Sequence, residues 1–139
     1  MSNSAILKCR AVLSLKTHTP TPTENMFDFE KLTVYQKAKE FNSHVRIFIK
    51  TSDLDRTTND QLRRAAFSVV LNIAEGAGRF TNPDKRNFYI ISRGSVFECV
   101  AIFDVLQDEK AMPQEQYKRF YTQAEEISKM LFAMIRKLG

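Results

Sequence analysis

The chain has 139 residues, a length that suits one domain. Its hydrophobic fraction of 43% and charged fraction of 27% are those of an ordinary globule, and no apolar run approaches the roughly 18 residues needed to cross a bilayer. A net charge of +5 at pH 7 raises nucleic acid as a partner and is too modest to establish one.

Four glycines and four prolines leave few breakers, which favours long helices over many strands. Eleven phenylalanines without a tryptophan point to a phenylalanine-rich core. Cys9 and Cys99 form no metal or redox spacing, so the expectation is a reduced, cytoplasmic protein without a disulfide. No run of five like charges exists.

Residues 1–26 are expected to be an irregular, flexible tail, with a threonine, proline and histidine segment from Thr17 to Thr23 and Met26 as an alternative start. Asp28 is a candidate cap for a first helix, on which Val34, Ala38, Phe41, Val45 and Phe48 recur by four and three. That helix should end near Thr51 to Asp53 and be about 33 Å long. A second helix carries Leu62, Ala66, Val69 and Ile73, widened by Phe67, Val70, Leu71 and Ala74. Thr58 or Asn59 can cap it, and Gly76 with Gly78 should end it. Asn82-Pro83-Asp84 reads as the start of a third helix through Phe88, Ile91, Ser95, Cys99, Ile102 and Leu106, so the centre is a helical hairpin turning near Phe80. Pro113 opens a fourth helix with Tyr117, Phe120, Ala124, Ile127, Leu131, Met134 and Leu138. The expected fold is all-α: an antiparallel up-down four-helix bundle over residues 27–139.

A polar set lies on the hairpin: Ser68, Asn72 and Glu75 on one helix, Gly94, Ser95 and Glu98 on the next. Antiparallel pairing puts Glu75 level with Arg86, and Glu98 level with Arg63 and Arg64, so salt bridges are expected there. Tyr35, Ile49, Phe67, Leu71, Tyr89, Phe97 and Phe103 lie beside the seams and exceed what four helices can bury, which implies a homo-oligomer.

Signs of catalysis are weak. The histidines are His18 and His44, and neither follows a glutamate by three residues, so a dimetal site and any metal are unsupported. Gly76-Ala77-Gly78 lacks the lysine of a phosphate loop. Ser68 and Ser95 have no histidine base, and Glu75 and Glu98 suit arginine partners better than acid–base work. The expectation is no enzyme and no cofactor. Arg79, Lys85, Arg86 and Arg93 gather near the turn, Phe80 and Tyr89 are placed to stack on bases, and Lys118, Arg119, Lys129 and Arg136 add charge on the last helix. A second class stays open: an adaptor whose apolar groove takes another protein's helix.

The chain resembles the small four-helix-bundle proteins encoded within intervening sequences of 23S ribosomal RNA genes. The residues that carry the likeness are Phe29-Glu30-Lys31-Leu32-Thr33-Val34-Tyr35-Gln36-Lys37-Ala38, Gln61-Leu62-Arg63-Arg64-Ala65-Ala66, Asn72-Ile73-Ala74-Glu75-Gly76 with Gly78-Arg79, and Arg93-Gly94-Ser95-Val96-Phe97-Glu98. Ser92 stands where the family more often has alanine. The resemblance implies an up-down bundle assembling as a homopentamer. It is also similar to the accessory protein of diversity-generating retroelements, a basic pentameric barrel that binds nucleic acid and a reverse transcriptase. By that similarity the matched arginines, Arg63, Arg64, Arg79 and Arg93, would line a pore or rim; with Lys85 and Arg86 of the turn cluster they are the expected contacts to RNA or DNA.

Overall fold

The structure is a computed structural model that describes residues 27–139. The expectations for the tail, Cys9, His18 and Met26 lie outside the described residues. A 3-10 turn at Asp28–Lys31 leads into four helices: α1 (Thr33–Thr51), α2 (Arg56–Ala77), α3 (Asn82–Asp108) and α4 (Gln114–Leu138). The described residues contain no strand. α1 packs on α2, α2 most extensively on α3, α3 on α4, and α4 back on α1.

The helix ends differ from expectation in instructive ways. Asp28 belongs to the 3-10 turn, and extended Leu32 separates that turn from α1 without a side-chain cap. With 19 residues, α1 is about 28 Å long, shorter than the expected 33 Å. Phe29 packs on Tyr35, ring centroids 4.8 Å apart, and Gln36 Nε2 donates to Glu30 O at 3.0 Å, tying the turn to α1. α2 begins earlier than expected because Asp55 is its cap. The Asp55 carboxylate accepts from Thr58 N at 3.0 Å and from Thr58 Oγ1 at 2.6 Å, so Thr58 is the donor and not the cap. Those two bonds hold the Asp55 carboxyl below its ordinary range. Thr81, not Asn82, caps α3, accepting from Asp84 N at 3.3 Å, and Pro83 sits in the first turn as expected.

Gly78 flanks the end of α2 with an ordinary right-handed φ of −83°. Gly76 lies inside α2, and its role is closeness: a Cβ there would meet Tyr89 Cε1 at 2.7 Å and Phe88 Cβ at 3.0 Å. The left-handed position of the fold falls elsewhere. α3 closes with Lys110 at φ 57°, Ala111 N bonding to Leu106 O at 2.8 Å and Lys110 N to Gln107 O at 3.0 Å.

The core is aromatic, as the composition suggests. Phe103 and Phe120 stack at 4.8 Å, Phe41 meets them at 6.2 and 6.1 Å, and Phe48 meets Phe120 at 5.7 Å. The expected lines of α1 and α2 are buried throughout. On α3 the buried line is Tyr89, Ser92, Val96, Cys99, Phe103 and Leu106, with Ser95 beside it. Ser95, Cys99 and Leu106 are buried as expected, whereas Ile91 is exposed and Phe88 and Ile102 are half-buried, with Tyr89, Ser92 and Phe103, each one residue further on, buried in their place. The reason is Ser92, a polar residue in the true seam. Its Oγ donates to Val69 O at 2.8 Å, which makes its burial affordable. On α4, Ile135 is buried and Met134 only partly.

Two substitutions test this packing by urea unfolding. Gly76→Ala should lose about 1–3 kcal/mol, since the added methyl runs into the Tyr89 ring. Lys110→Gly should gain about 1 kcal/mol by relieving the left-handed lysine.

Candidate functional site

The polar set of α2 and α3 forms a hydrogen-bonded ladder. Ser95 Oγ donates to Ile91 O at 3.2 Å, and the two hydroxyls of Ser68 and Ser95 lie 2.8 Å apart. Either hydroxyl can donate to the other. Asn72 Nδ2 completes the run, 2.9 Å from both Ser68 O and Ser68 Oγ. Both hydroxyls are thus held in a structural network, and no histidine takes part. His44 Nδ1 lies instead 2.9 Å from Gln123 Nε2, between α1 and α4.

Glu75 and Glu98 do not make the expected salt bridges. Both are exposed, and the ion pairs among the described residues are Lys37–Glu126 at 2.9 Å, Arg56–Asp60 at 4.0 Å and Lys129–Glu125 at 3.0 Å. The error was one of direction around the helix. Glu75 shares a shallow cleft with Phe27, Asp28 and Phe29, while Arg86 leaves α3 beside Gly139 at the end of α4. Arg63 faces α1, where it lines a pocket with Arg46, Ile49 and Lys50. Being level along two helices does not bring side chains to the same flank.

The six expected nucleic-acid residues do not form one patch. Arg79 is exposed at the turn, its Cζ 4.5 Å from the Phe88 ring centroid. Phe80 beside it is fully exposed, at 101%. Lys85 is a structural cation, its Nζ donating to Ala77 O at 2.8 Å and capping the end of α2. Arg86 is exposed. Arg93 lies two turns further on, about 10 Å along α3. It is half-buried between Phe97 at 4.7 Å and Phe132 at 5.5 Å, and its Nε is buried without a partner. Arg63 and Arg64 are about 24 Å from Arg79 along α2. Tyr89 cannot stack on a base: it is buried, and burial raises its phenol.

A trio was missed. Arg46 and Lys50, four residues apart on α1, join Arg63 around a pocket of about 90 Å³ with no carboxylate in its lining. Arg46 Cζ lies 5.0 Å from the Phe67 ring centroid, and Arg46 Nε is buried without a partner. Charge counted by segment hides this trio; charge counted by helix flank would have found it.

Of the apolar residues expected beyond the core, Phe67, Leu71 and Phe97 are exposed and Tyr35 is half-buried. Ile49, Tyr89 and Phe103 are buried, Phe103 within the aromatic cluster itself. Phe80, Ile90, Ile91, Val105, Tyr121 and Phe132 are exposed as well. Among the described residues no group of three metal-ligating side chains occurs, and no helix is long and apolar enough to cross a membrane.

Residues 30–133 match the family described as 23S rRNA-intervening sequence protein. The chain belongs to that family. Comparison with curated proteins returns no match. A crystal structure from Bacteroides thetaiotaomicron, a protein of unknown function from the S23 ribosomal protein family, shares the fold at a TM-score of 0.70 and 23% identity, covering 74% of this chain and 98% of that one. The ladder, the capping lysine and the half-buried arginine thus occupy the family's matched region.

Cys99 gives a check on the interior. Burial first, and the Glu98 charge second, push its thiol up to about 12 from an ordinary 9.0. Above pH 9 the unfolded thiol loses its proton while the folded one keeps it. Its contribution to stability is therefore full below pH 9 and lost as pH rises toward 12, at up to about 1.4 kcal/mol per pH unit. In a Cys9→Ser background, Cys99→Ala should flatten this part of the pH dependence of unfolding, and a thiol reagent at pH 8 should label the folded chain far more slowly than the denatured one.

Proposed function

We propose that this protein is a non-catalytic, self-associating four-helix bundle, its helices running alternately up and down, that holds nucleic acid by its phosphates at the α2–α3 turn. The observation that carries this is the state of the turn cations. Arg79 and Arg86 are exposed and have no carboxylate within ion-pair distance among the described residues. The glutamates expected to neutralise basic side chains, Glu75 and Glu98, face elsewhere. Phe80 stands fully exposed next to Arg79, an open ring face for an unstacked base. RNA is favoured over DNA, in keeping with the ribosomal RNA reference in the family's description. The contacts would be to backbone, with little reading of bases.

Self-association supplies what one turn lacks. Two free cations and one ring make a weak site; copies side by side multiply it. Exposed Phe67, Leu71, Phe97 and Phe132 support assembly, and five is the subunit number that the resemblance suggests. The free, buried Cys99 suits a reducing cytoplasm. A second reading has one observation of its own. Between α3 and α4 lies a groove of about 380 Å³, lined by Phe97, Val100 and Tyr121 among others, of a kind that takes an amphipathic helix from another protein.

Fluorescence anisotropy with structured and single-stranded RNA, at several salt concentrations, tests the main proposal. Affinity should fall steeply with salt, by about 0.7–0.9 in log K per log salt for each neutralised phosphate. Arg79→Ala with Arg86→Ala should lower that slope by about one to two. Phe80→Ala should weaken single-strand binding by about 1–3 kcal/mol. Absence of binding to either RNA at low salt refutes the phosphate site, and nuclease-insensitive recovery of a stoichiometric protein partner from extract would favour the adaptor.

A further inference from the structure

The outer side of α3 carries Ile90, Gly94, Phe97, Ala101 and Val105, spaced by four, three, four and four, so they form one stripe along the helix. All five are exposed, Ile90 at 42%, Phe97 at 55% and Val105 at 54%. Nothing lies within 4 Å of a Cβ built on Gly94. The stripe is thus apolar, with its smallest residues between large ones, a surface on which a second helix can approach closely. Its lower end is acidic. From Phe97 to Glu109 the chain has no lysine or arginine and carries Glu98, Asp104, Asp108 and Glu109, none of them ion-paired among the described residues. A polyanion is repelled there.

The flank formed by α1 and α2 has the opposite character. Its upper part is a groove of about 610 Å³ lined by Tyr35, Asn42, Phe67 and Leu71 among others, with Glu40 as its one carboxylate. Its lower part is the trio of Arg46, Lys50 and Arg63. Asn42 Oδ1 and Arg46 Nε on this flank are buried without partners.

We infer that the α3 stripe of one copy seats in the α1/α2 groove of a second copy, with Asp104 and Asp108 against Arg46, Lys50 and Arg63. This rests on the self-association proposed above and names its faces. Charge favours this occupant. With copies the same way up, pairing α3 on α3 sets acid against acid and pairing the α1/α2 flanks sets the cation trio against itself, while the unlike faces are complementary. The contact is then head-to-tail and continues into a ring or an open chain. An antiparallel pairing of α3 on α3, which brings Asp104 and Asp108 to the level of Arg86 and Arg93, is the rival that cross-linking separates.

Cross-linking separates the outcomes. In a Cys9→Ser background, Ser43→Cys marks the groove and Ala101→Cys marks the stripe; both positions are exposed, so the chain should fold. With a short bifunctional maleimide, each variant alone should stay a single band on a denaturing gel, the two co-expressed should give a dimer band, and the double variant a ladder. Reversing the stripe with Asp104→Lys and Asp108→Lys should weaken self-association by about tenfold or more, and Lys50→Glu with Arg63→Glu on the other face should restore it. A dimer from Ala101→Cys alone would overturn the head-to-tail contact. Sedimentation as an oligomer with no cross-link in the mixture sinks these faces while leaving self-association standing; sedimentation as a monomer sinks both.

Discussion

α2 and α3 touch where Gly76 has no side chain, and much of the molecule follows from that closeness. The Tyr89 ring occupies the space that a Cβ at Gly76 would need. With the helices drawn together at the turn, Lys85 reaches the last carbonyls of α2 and satisfies Ala77 O. Further along, the interface holds small hydroxyl side chains at Ser68, Ser92 and Ser95, which fit a narrow gap and find partners across it or on their own helix. Each such bond contributes only about 1 kcal/mol net, yet leaving its partner unmet would cost more. The ladder therefore selects one register of α2 on α3. With that register set, Phe103, three turns along the same buried line as Ser92, is delivered to the stack with Phe120.

How far the fold is legible depends on how many phases a helix offers. α1 and α2 each carry one dominant apolar line, and those lines are buried as read. α3 packs against both α2 and α4 and is apolar on both flanks, so two phases one residue apart fit its pattern. The tie-breaker was Ser92, which counts as polar in a pattern and as buried in the structure. Ends were read less well for a similar reason. Asp55 and Thr58 are both capping residues, and which one accepts depends on where the backbone turns. The left-handed position at Lys110 bears no glycine to mark it. For the candidate site, the residues at the turn were legible and their partners were not. Periodicity yields height along a helix with some accuracy, whereas an ion pair also needs the correct flank. The Arg46–Lys50–Arg63 trio joins two helices far apart in sequence, so no local pattern contains it.

Among the described residues, four arginines lie over aromatic rings and one, Arg56, pairs with a carboxylate. Arg46, Arg79, Arg93 and Arg136 lie over Phe67, Phe88, Phe97 and Phe132, with Cζ 5.0, 4.5, 4.7 and 5.9 Å from the centroids of those rings. A ring attracts the guanidinium through its quadrupole and leaves the net charge uncancelled. It also fixes the plane of the side chain, so the N–H edge is presented with less freedom to lose on binding. Exposed salt bridges would have done the reverse, neutralising the charge for a stabilisation near zero to 1 kcal/mol. The modest net charge of the chain thus understates how much positive surface remains open.

Acid and base are also sorted in space. The outer side of α3 is acidic toward its end, the α1/α2 flank is basic, and the turn carries Arg79, Phe80 and Arg86 beyond the ends of the long flanks. The proposed phosphate chain at the turn and the proposed second copy on a flank would therefore not compete for the same side chains. Association along the flanks with copies the same way up, which the pairing of Asp104 and Asp108 with the trio requires, brings the turns of neighbouring copies to one level. Each turn then adds two cations and an exposed ring to a shared rim, and a single strand crossing several turns gains from their local concentration more than any one turn contributes. Under the proposed function, assembly in this arrangement would convert a weak terminal site into a continuous one.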